Sequence, residues 1–286
     1  MAVKGVILAA GYGSRFLPVT RCVPKEMLPI VDRPAIDHVV REFADAGIED
    51  VLVITSRRKR AIEDWFDRDP ELEAVFRGEG APDKLERIRP PAVRATFVRQ
   101  QEMRGTGEAL LLARAFAGQD PVVLAFPDDL FGEPNCTADL IHTWERTGAS
   151  VLAAADLSGE DVSRYGVIDP SAEEDGVLRV RRVVEKPAPG TEPSSIVSLG
   201  RYLFTPDIFP ALAEGLARHA GPGEYFATDG INRLAERGGV VARTVTAPRY
   251  DTGKPLGYMQ AIVELALEHE EIGEAFGRWL HQRFSG

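Results

Sequence analysis

Val6-Ile7-Leu8-Ala9-Ala10-Gly11-Tyr12-Gly13-Ser14-Arg15, with Pro24-Lys25-Glu26-Met27-Leu28-Pro29 close behind, is the stretch that decides the reading of this 286-residue chain. An apolar run that reads as a β-strand empties into alanines and glycines, a composition that leaves backbone N–H groups free to face a phosphate. Arg15 and Lys25 bring two full positive charges to the same place. Gly11 and Gly13 open a G-x-G, but Phe16 stands where a dinucleotide-binding loop needs its third glycine. Gly253-Lys254 is followed by Pro255 rather than Ser or Thr, so it is no Walker loop. A lone glycine loop is equally a tight strand-to-helix turn; the cations at short range set this one apart.

Outward from that loop, strand and helix signals alternate. Val3–Ala9 reads as a strand. A helix starts at Pro34, with Asp32 as cap, and carries Ile36, Val39, Val40 and Phe43 on one face. Strands follow at Val51–Ile54, Val93–Val98 and Val122–Phe126, with helices carrying Ile62, Trp65 and Phe66 and over 107–117 between them. Residues 69–92, charged and rich in proline, read as an excursion from the core. Repeated strand–helix–strand units predict a Rossmann-like α/β fold: a mostly parallel mixed sheet flanked by helices, with ligands at the carboxyl ends of strands. From about residue 150 shorter strands separated by turn residues replace this rhythm, and the end is helical, with Met259, Ile262, Val263, Ala266 and Leu267 in one stripe. The expected organisation is a nucleotide part over 1–150, an added sugar-binding β region over 151–253 sharing the same sheet, and C-terminal helices over 254–286.

A net charge of −10 argues against nucleic acid, whose backbone requires a concentrated basic face. An acidic protein can still bind a small anion where a few cations share one cleft, and Arg15, Arg21, Lys25 and Lys186 are the candidates. The run Arg57-Arg58-Lys59-Arg60 reads as a solvated helix start. Two cysteines, no basic-then-apolar leader and no apolar run of membrane-spanning length point to a cytoplasmic protein with no membrane partner. The five histidines form no pair at metal-binding spacing, and no nucleophile elbow is present. Pro127-Asp128-Asp129 follows a strand directly: Asp128 is either part of an ordinary turn or a ligand for Mg²⁺, which takes one or two carboxylates plus substrate phosphates.

The loop Ala9 to Arg15 together with the Pro24–Pro29 box resembles the signature of the sugar-1-phosphate nucleotidylyltransferases. Within that family the chain looks most like the bacterial UTP–glucose-1-phosphate uridylyltransferases. The likeness runs from Lys4 to about Glu270 and includes the excursion and Leu256-Gly257-Tyr258-Met259-Gln260-Ala261. It implies that UTP and glucose 1-phosphate become UDP-glucose and pyrophosphate, with Arg15 and Lys25 catalytic. It implies nucleotide contacts from Ala9, Ala10, Gly11, Gly13, Glu26, Gln100, Gly105 and Asp128, and Mg²⁺ held between Asp128 and the distant Asp251. Gln100 can pair with the edge of uracil and Gly105 can let backbone approach the base. On the sugar side Gly166, Glu185, Lys186 and Gly200 match family motifs in order, although Glu185-Lys186 alone is an ordinary surface ion pair. Gly200 would leave room for the hexose. Members form homodimers or homotetramers.

The chain departs from the family pattern at Tyr12, at Ser14 and in a shortened excursion, which bears on oligomer contacts. Lys254 precedes Pro255 where relatives carry a lysine one place later, and it is assigned no role. Two rivals stand beside this reading. One is the same chemistry with dTTP or another hexose 1-phosphate, and the other is a non-catalytic nucleotide-sugar-binding module.

Overall fold

In the computed structural model, which describes residues 2–219, 221 and 223–284, the strand that feeds the glycine loop lies inside a nine-stranded sheet. Its strands are β1 (Lys4–Leu8), β2 (Asp50–Thr55), β3 (Arg94–Arg99), β4 (Val122–Ala125), β5 (Ser150–Asp156), β6 (Gly166–Glu174), β7 (Val177–Glu185), β8 (Ile196–Phe204) and β9 (Val240–Thr244). Their spatial order is β3-β2-β1-β4-β8-β5-β9-β7-β6. Strands β1 to β4 pair in parallel, as do β5 and β9, while β7 and β8 run against all the others. The sheet is thus mixed, with most strands pointing one way.

Alternation along β1, β2 and β4 sends side chains to two apolar layers. Val6, Leu52, Ile54, Val122 and Leu124 pack against the helices Thr106–Leu111, Ile208–Arg218 and Ala227–Ala235. Ile7, Val51, Val53, Val123 and Ala125 pack against Ala35–Asp45 and Cys136–Thr147. Every residue of β4 is fully buried, as a central strand covered on both faces must be.

Several local expectations shift. Asp32 does not cap the Ala35–Asp45 helix; the cap position is Pro34, with extended backbone and no side-chain bond. The helix expected over 107–117 is two pieces, Thr106–Leu111 and Arg114–Ala117. The excursion folds as two short helices, Pro70–Gly78 and Pro82–Arg87, with no buried residue. Strand β6 runs on through the charged Glu173 and Glu174 because Asp175 and Gly176, both at positive φ, close a two-residue hairpin onto β7. Residue 1 and residues 285–286, at the ends of the outer expected segments, lie outside the described residues.

One ion pair sits at the heart of the second layer. Arg201 on β8 is wholly buried, its guanidinium between the rings of Phe43 and Phe131 at 5.7 and 5.2 Å from their centroids. It donates to both oxygens of Glu42, at 3.0 and 2.5 Å. Thr137 adds its N–H and hydroxyl to the same carboxylate. Removing one partner of such a pair leaves an uncompensated buried charge. Arg201→Met is therefore expected to lower the unfolding free energy by about 3–5 kcal/mol, measured as a shift of the urea midpoint at unchanged slope.

Candidate active site

Strand β4 ends in a tight reversal. Phe126 N–H donates to Gly200 O at 3.0 Å, Asp129 N–H donates to Phe126 O at 3.1 Å, and the chain turns back as a short strand, Asp129–Phe131. Asp128 is the residue at the bend. The segment Arg249–Asp251, distant in sequence, pairs antiparallel with Asp129–Phe131, setting Asp251 opposite Asp129. Thr252 fastens the crossing, donating its N–H and its hydroxyl to Asp128 O at 2.8 and 3.0 Å. Gly253 follows, and a Cβ placed there would lie 2.6 Å from Asp128 Oδ2 and 3.2 Å from Asp251 Oδ1. Those two oxygens are therefore no more than 5.8 Å apart, the two distances laid end to end.

Around this pair opens a cleft of about 550 Å³ lined by Arg15, Lys25, Asp128, Asp251 and Lys254, and also by Tyr165, Gly166, Glu185, Lys186 and Gly200. Residues from the start, middle and end of the chain thus share one wall. Lys25 is ion-paired with Asp128. Burial raises the Asp128 carboxyl's pKa, but the charges of Lys25 and Arg15 and the Lys25 hydrogen bond outweigh it and hold the group below its ordinary value. Arg15, exposed, donates to Gly253 O at 3.2 Å. Arg21 lies outside this cleft, in a small depression with Gly11, Tyr12 and Lys59.

The glycine loop is shaped by Gly13, whose φ of +67° is left-handed and whose carbonyl accepts from Thr20 Oγ1 at 2.8 Å. Gly11 is exposed, Ala10 is buried, and the N–H of Ala9 is already engaged with Ile54 O at 2.8 Å. Ala9 therefore offers no donor to a phosphate, which corrects that part of the loop reading. Glu26 is a second correction. It is 1% exposed and both of its oxygens accept from Lys59 Nζ, at 2.6 and 2.7 Å, so it faces inward and not toward a nucleotide. Lys59, read from sequence as solvated, is the buried partner. Burial raises the pKa of Glu26 and lowers that of Lys59, each against the attraction of the other.

Gln100 donates through Nε2 to Gly105 O at 3.3 Å. Gly105 has φ +103°, and the place of its missing Cβ is filled by the backbone of Tyr225, whose N–H donates to Arg104 O at 2.7 Å. The close approach at Gly105 is thus made by the chain itself. Gly200 has a similar explanation. A Cβ there would stand 2.8 Å from both Cβ and Oδ2 of Asp129, so its side-chain space belongs to that buried acid. Asp129 accepts from Gly200 N–H at 2.7 Å and from Arg249 at 2.6 and 3.1 Å, a structural role and not that of a ligand.

Gly166 and Glu185 face each other across the β6–β7 pairing, and a Cβ on Gly166 would lie 3.4 Å from Glu185 Oε2. Burial raises the Glu185 carboxyl's pKa, with Lys186 pulling the other way. Lys186 takes a left-handed φ of +45°, rare for a side-chain-bearing residue and found where surroundings impose it. Its N–H donates to Tyr165 O at 2.9 Å and its ammonium stands 5.0 Å from the Phe226 ring centroid.

Among the described residues no cluster of three or more His, Cys, Asp or Glu side chains has the form of a metal site. Asp128 and Asp251 are instead a two-carboxylate, all-oxygen donor set. That suits a hard cation such as Mg²⁺, whose remaining positions go to water and phosphate. Sequence reasoning missed Lys59, Arg249 and Lys254, because nothing in their local sequence says which carboxylate each meets. Replacing Lys59 by Met strands Glu26. Its carboxyl pKa, already raised, then rises further, so the penalty is present above that pKa and fades as pH falls through it. The expected cost is about 3–5 kcal/mol at pH 8 and less at pH 5, read from paired urea denaturations.

A family model described as nucleotidyl transferase matches residues 4–268. A UTP–glucose-1-phosphate uridylyltransferase of Staphylococcus epidermidis is 40% identical over 283 residues, 98% of this chain and 97% of that one. The enzyme of the same name from Bacillus subtilis is 40% identical over 272 residues, 94% and 92% of the two chains. A solved UTP-bound UGPase from Acinetobacter baumannii superposes with TM-score 0.88 at 31% identity, over 98% of this chain and 99% of that one. A UDP-glucose pyrophosphorylase solved with UDP-glucose gives TM-score 0.81 at 34% identity, covering 94% and 100%. With nearly its whole length matched and its charged groups gathered in one cleft, the chain belongs to the nucleotidyl transferase family.

Proposed function

We propose that the cleft joins UTP and glucose 1-phosphate into UDP-glucose and pyrophosphate. The observation that carries this reading is the meeting of Arg15, Lys25, Asp128 and Asp251 in a cleft that also holds Glu185 and Lys186. The reading is further supported by the uridylyltransferase names of relatives matched over almost the full chain. In the reaction a sugar-phosphate oxygen attacks the α-phosphorus in line. The new P–O bond forms as the bond to the β-phosphate bridging oxygen breaks, and its electron pair leaves on pyrophosphate. The attacking phosphate, with a second pKa of about 6, is mostly dianionic near neutrality and needs no general base. The protein's task is to align two anions and offset their repulsion.

Lys25 and Arg15 supply charge to the transferring and leaving phosphates. Glu185 accepts hydrogen bonds from hexose hydroxyls, and Lys186 neutralises the sugar phosphate. With Gln100 Nε2 turned to Gly105 O, its Oε1 is the atom offered to uracil N3–H. Asp128 and Asp251 would hold Mg²⁺, which when bound supplies further neutralisation of the phosphates.

Residues 1–150 are read as the nucleotide part, 151–253 as the sugar part on the same sheet, and 254–286 as a helical segment. A cytoplasmic setting accords with two free cysteines, Cys22 and Cys136; among the described residues no helix is long and apolar enough to cross a membrane. A homodimer or homotetramer would cover the exposed Leu256, Met259 and Trp279 of the C-terminal helices. A non-catalytic module has no use for this full set of cations and acids.

Pyrophosphate release from UTP plus glucose 1-phosphate is expected, abolished by EDTA and restored by added Mg²⁺; turnover undiminished in EDTA, or faster with dTTP, overturns the assignment. Lys25→Ala and Asp128→Asn should each lower kcat by roughly 10²–10³, the scale of one lost transition-state contact, while the fold persists by circular dichroism. Ionised Glu185 offers two acceptor oxygens to the hexose hydroxyls, whereas protonation turns one of them into a donor, and burial raises its pKa. KM for glucose 1-phosphate should accordingly climb as pH is lowered, starting above the ordinary carboxylate value of about 4.3, and Glu185→Gln should flatten that climb.

A further inference from the structure

Each acid of the central pair already has an ammonium partner. Lys25 is ion-paired with Asp128, and Lys254 Nζ lies 2.9 Å from Asp251 Oδ2. Lys254 lines the same cleft, its side chain is 38% exposed, and its Nζ stands 5.9 Å from the Tyr165 ring centroid. Its position is set locally. Lys254 is the extended residue before Pro255, which opens the Pro255–Glu268 helix, and its carbonyl accepts from Tyr258 N–H at 2.8 Å. Two carboxylates no more than 5.8 Å apart repel unless compensated, and these lysines are the compensation. A bare divalent cation arriving at the acids meets two adjacent positive charges. A cation arriving with a phosphate chain brings oxygens to which both ammoniums can turn.

We infer that Lys25 and Lys254 close the acid pair to a lone divalent cation and transfer to the nucleotide's phosphates when nucleotide and cation enter together, which makes Lys254 a phosphate-binding residue of the cleft. This rests on reading Asp128 and Asp251 as the cation-holding pair. Because coupling between two ligands is reciprocal, each should tighten the other by the same factor.

The test uses the full chain. Mn²⁺ is titrated without nucleotide, followed by the electron paramagnetic resonance of free Mn²⁺, and UTP binding is measured calorimetrically in EDTA. Wild type should take up Mn²⁺ weakly. Lys254→Met should bind it about tenfold tighter, within the usual range of coupling factors, and bind UTP in EDTA correspondingly more weakly. Lys254→Arg, which keeps the charge, should match wild type in both. Unchanged Mn²⁺ affinity in Lys254→Met, or undiminished UTP binding in EDTA, overturns the inference. Asp251→Asn separates the two levels of failure. If it removes the tightening of UTP binding by Mn²⁺, the acids hold the cation and only the lysine exchange has failed. If the tightening persists, the underlying reading of the acids has failed.

Discussion

The short antiparallel contact between Arg249–Asp251 and Asp129–Phe131 is what the cleft depends on. A carboxylate at the end of β4 has no second acid near it in sequence; the other arrives from more than a hundred residues away. Two strands of three residues are too short to hold such a junction alone. Thr252 therefore bonds the crossing to Asp128 O twice, and Arg249 bonds it to Asp129 from the side. Glycine at position 253 then lets both carboxylates close over the backbone.

Charge compensation is the second theme. A protein of net charge −10 binds its anionic reactants by keeping cations where they are needed and neutralising acids elsewhere. Glu26 with Lys59, Asp129 with Arg249 and Glu42 with Arg201 are buried pairs around or beneath the cleft. Each holds a backbone segment in register, while Arg15, Lys25, Lys186 and Lys254 remain at the cleft wall. Dividing the charges this way keeps the structural acids from competing for the cations that face the reactants, because a saturated carboxylate in low dielectric attracts little further charge.

The adjacency of Glu26 to Lys25 shows how neighbours in one motif part company. Both sit in the three-residue turn Lys25–Met27, where successive side chains point in different directions. Lys25 emerges toward Asp128, and Glu26 turns inward to Lys59. Asp128 and Asp129 divide in the same manner at the strand reversal. In both doublets one residue faces the cleft and the other anchors the loop that presents it.

Periodicity alone determined much of this protein. The fully apolar β4, the amphipathic Ala35–Asp45 helix and the strand-to-glycine junction at Leu8–Gly11 are local patterns, and local sterics and burial are enough to read them. The motifs likewise named Arg15, Lys25, Asp128, Glu185 and Lys186, all of which line the cleft. Tertiary structure decided which charges pair: that Lys59 is buried on Glu26, that Gly200 yields its space to Asp129 and that Lys254 meets Asp251. Ion pairing depends on distance in space and on burial, and a linear sequence specifies neither until the sheet brings its distant segments together.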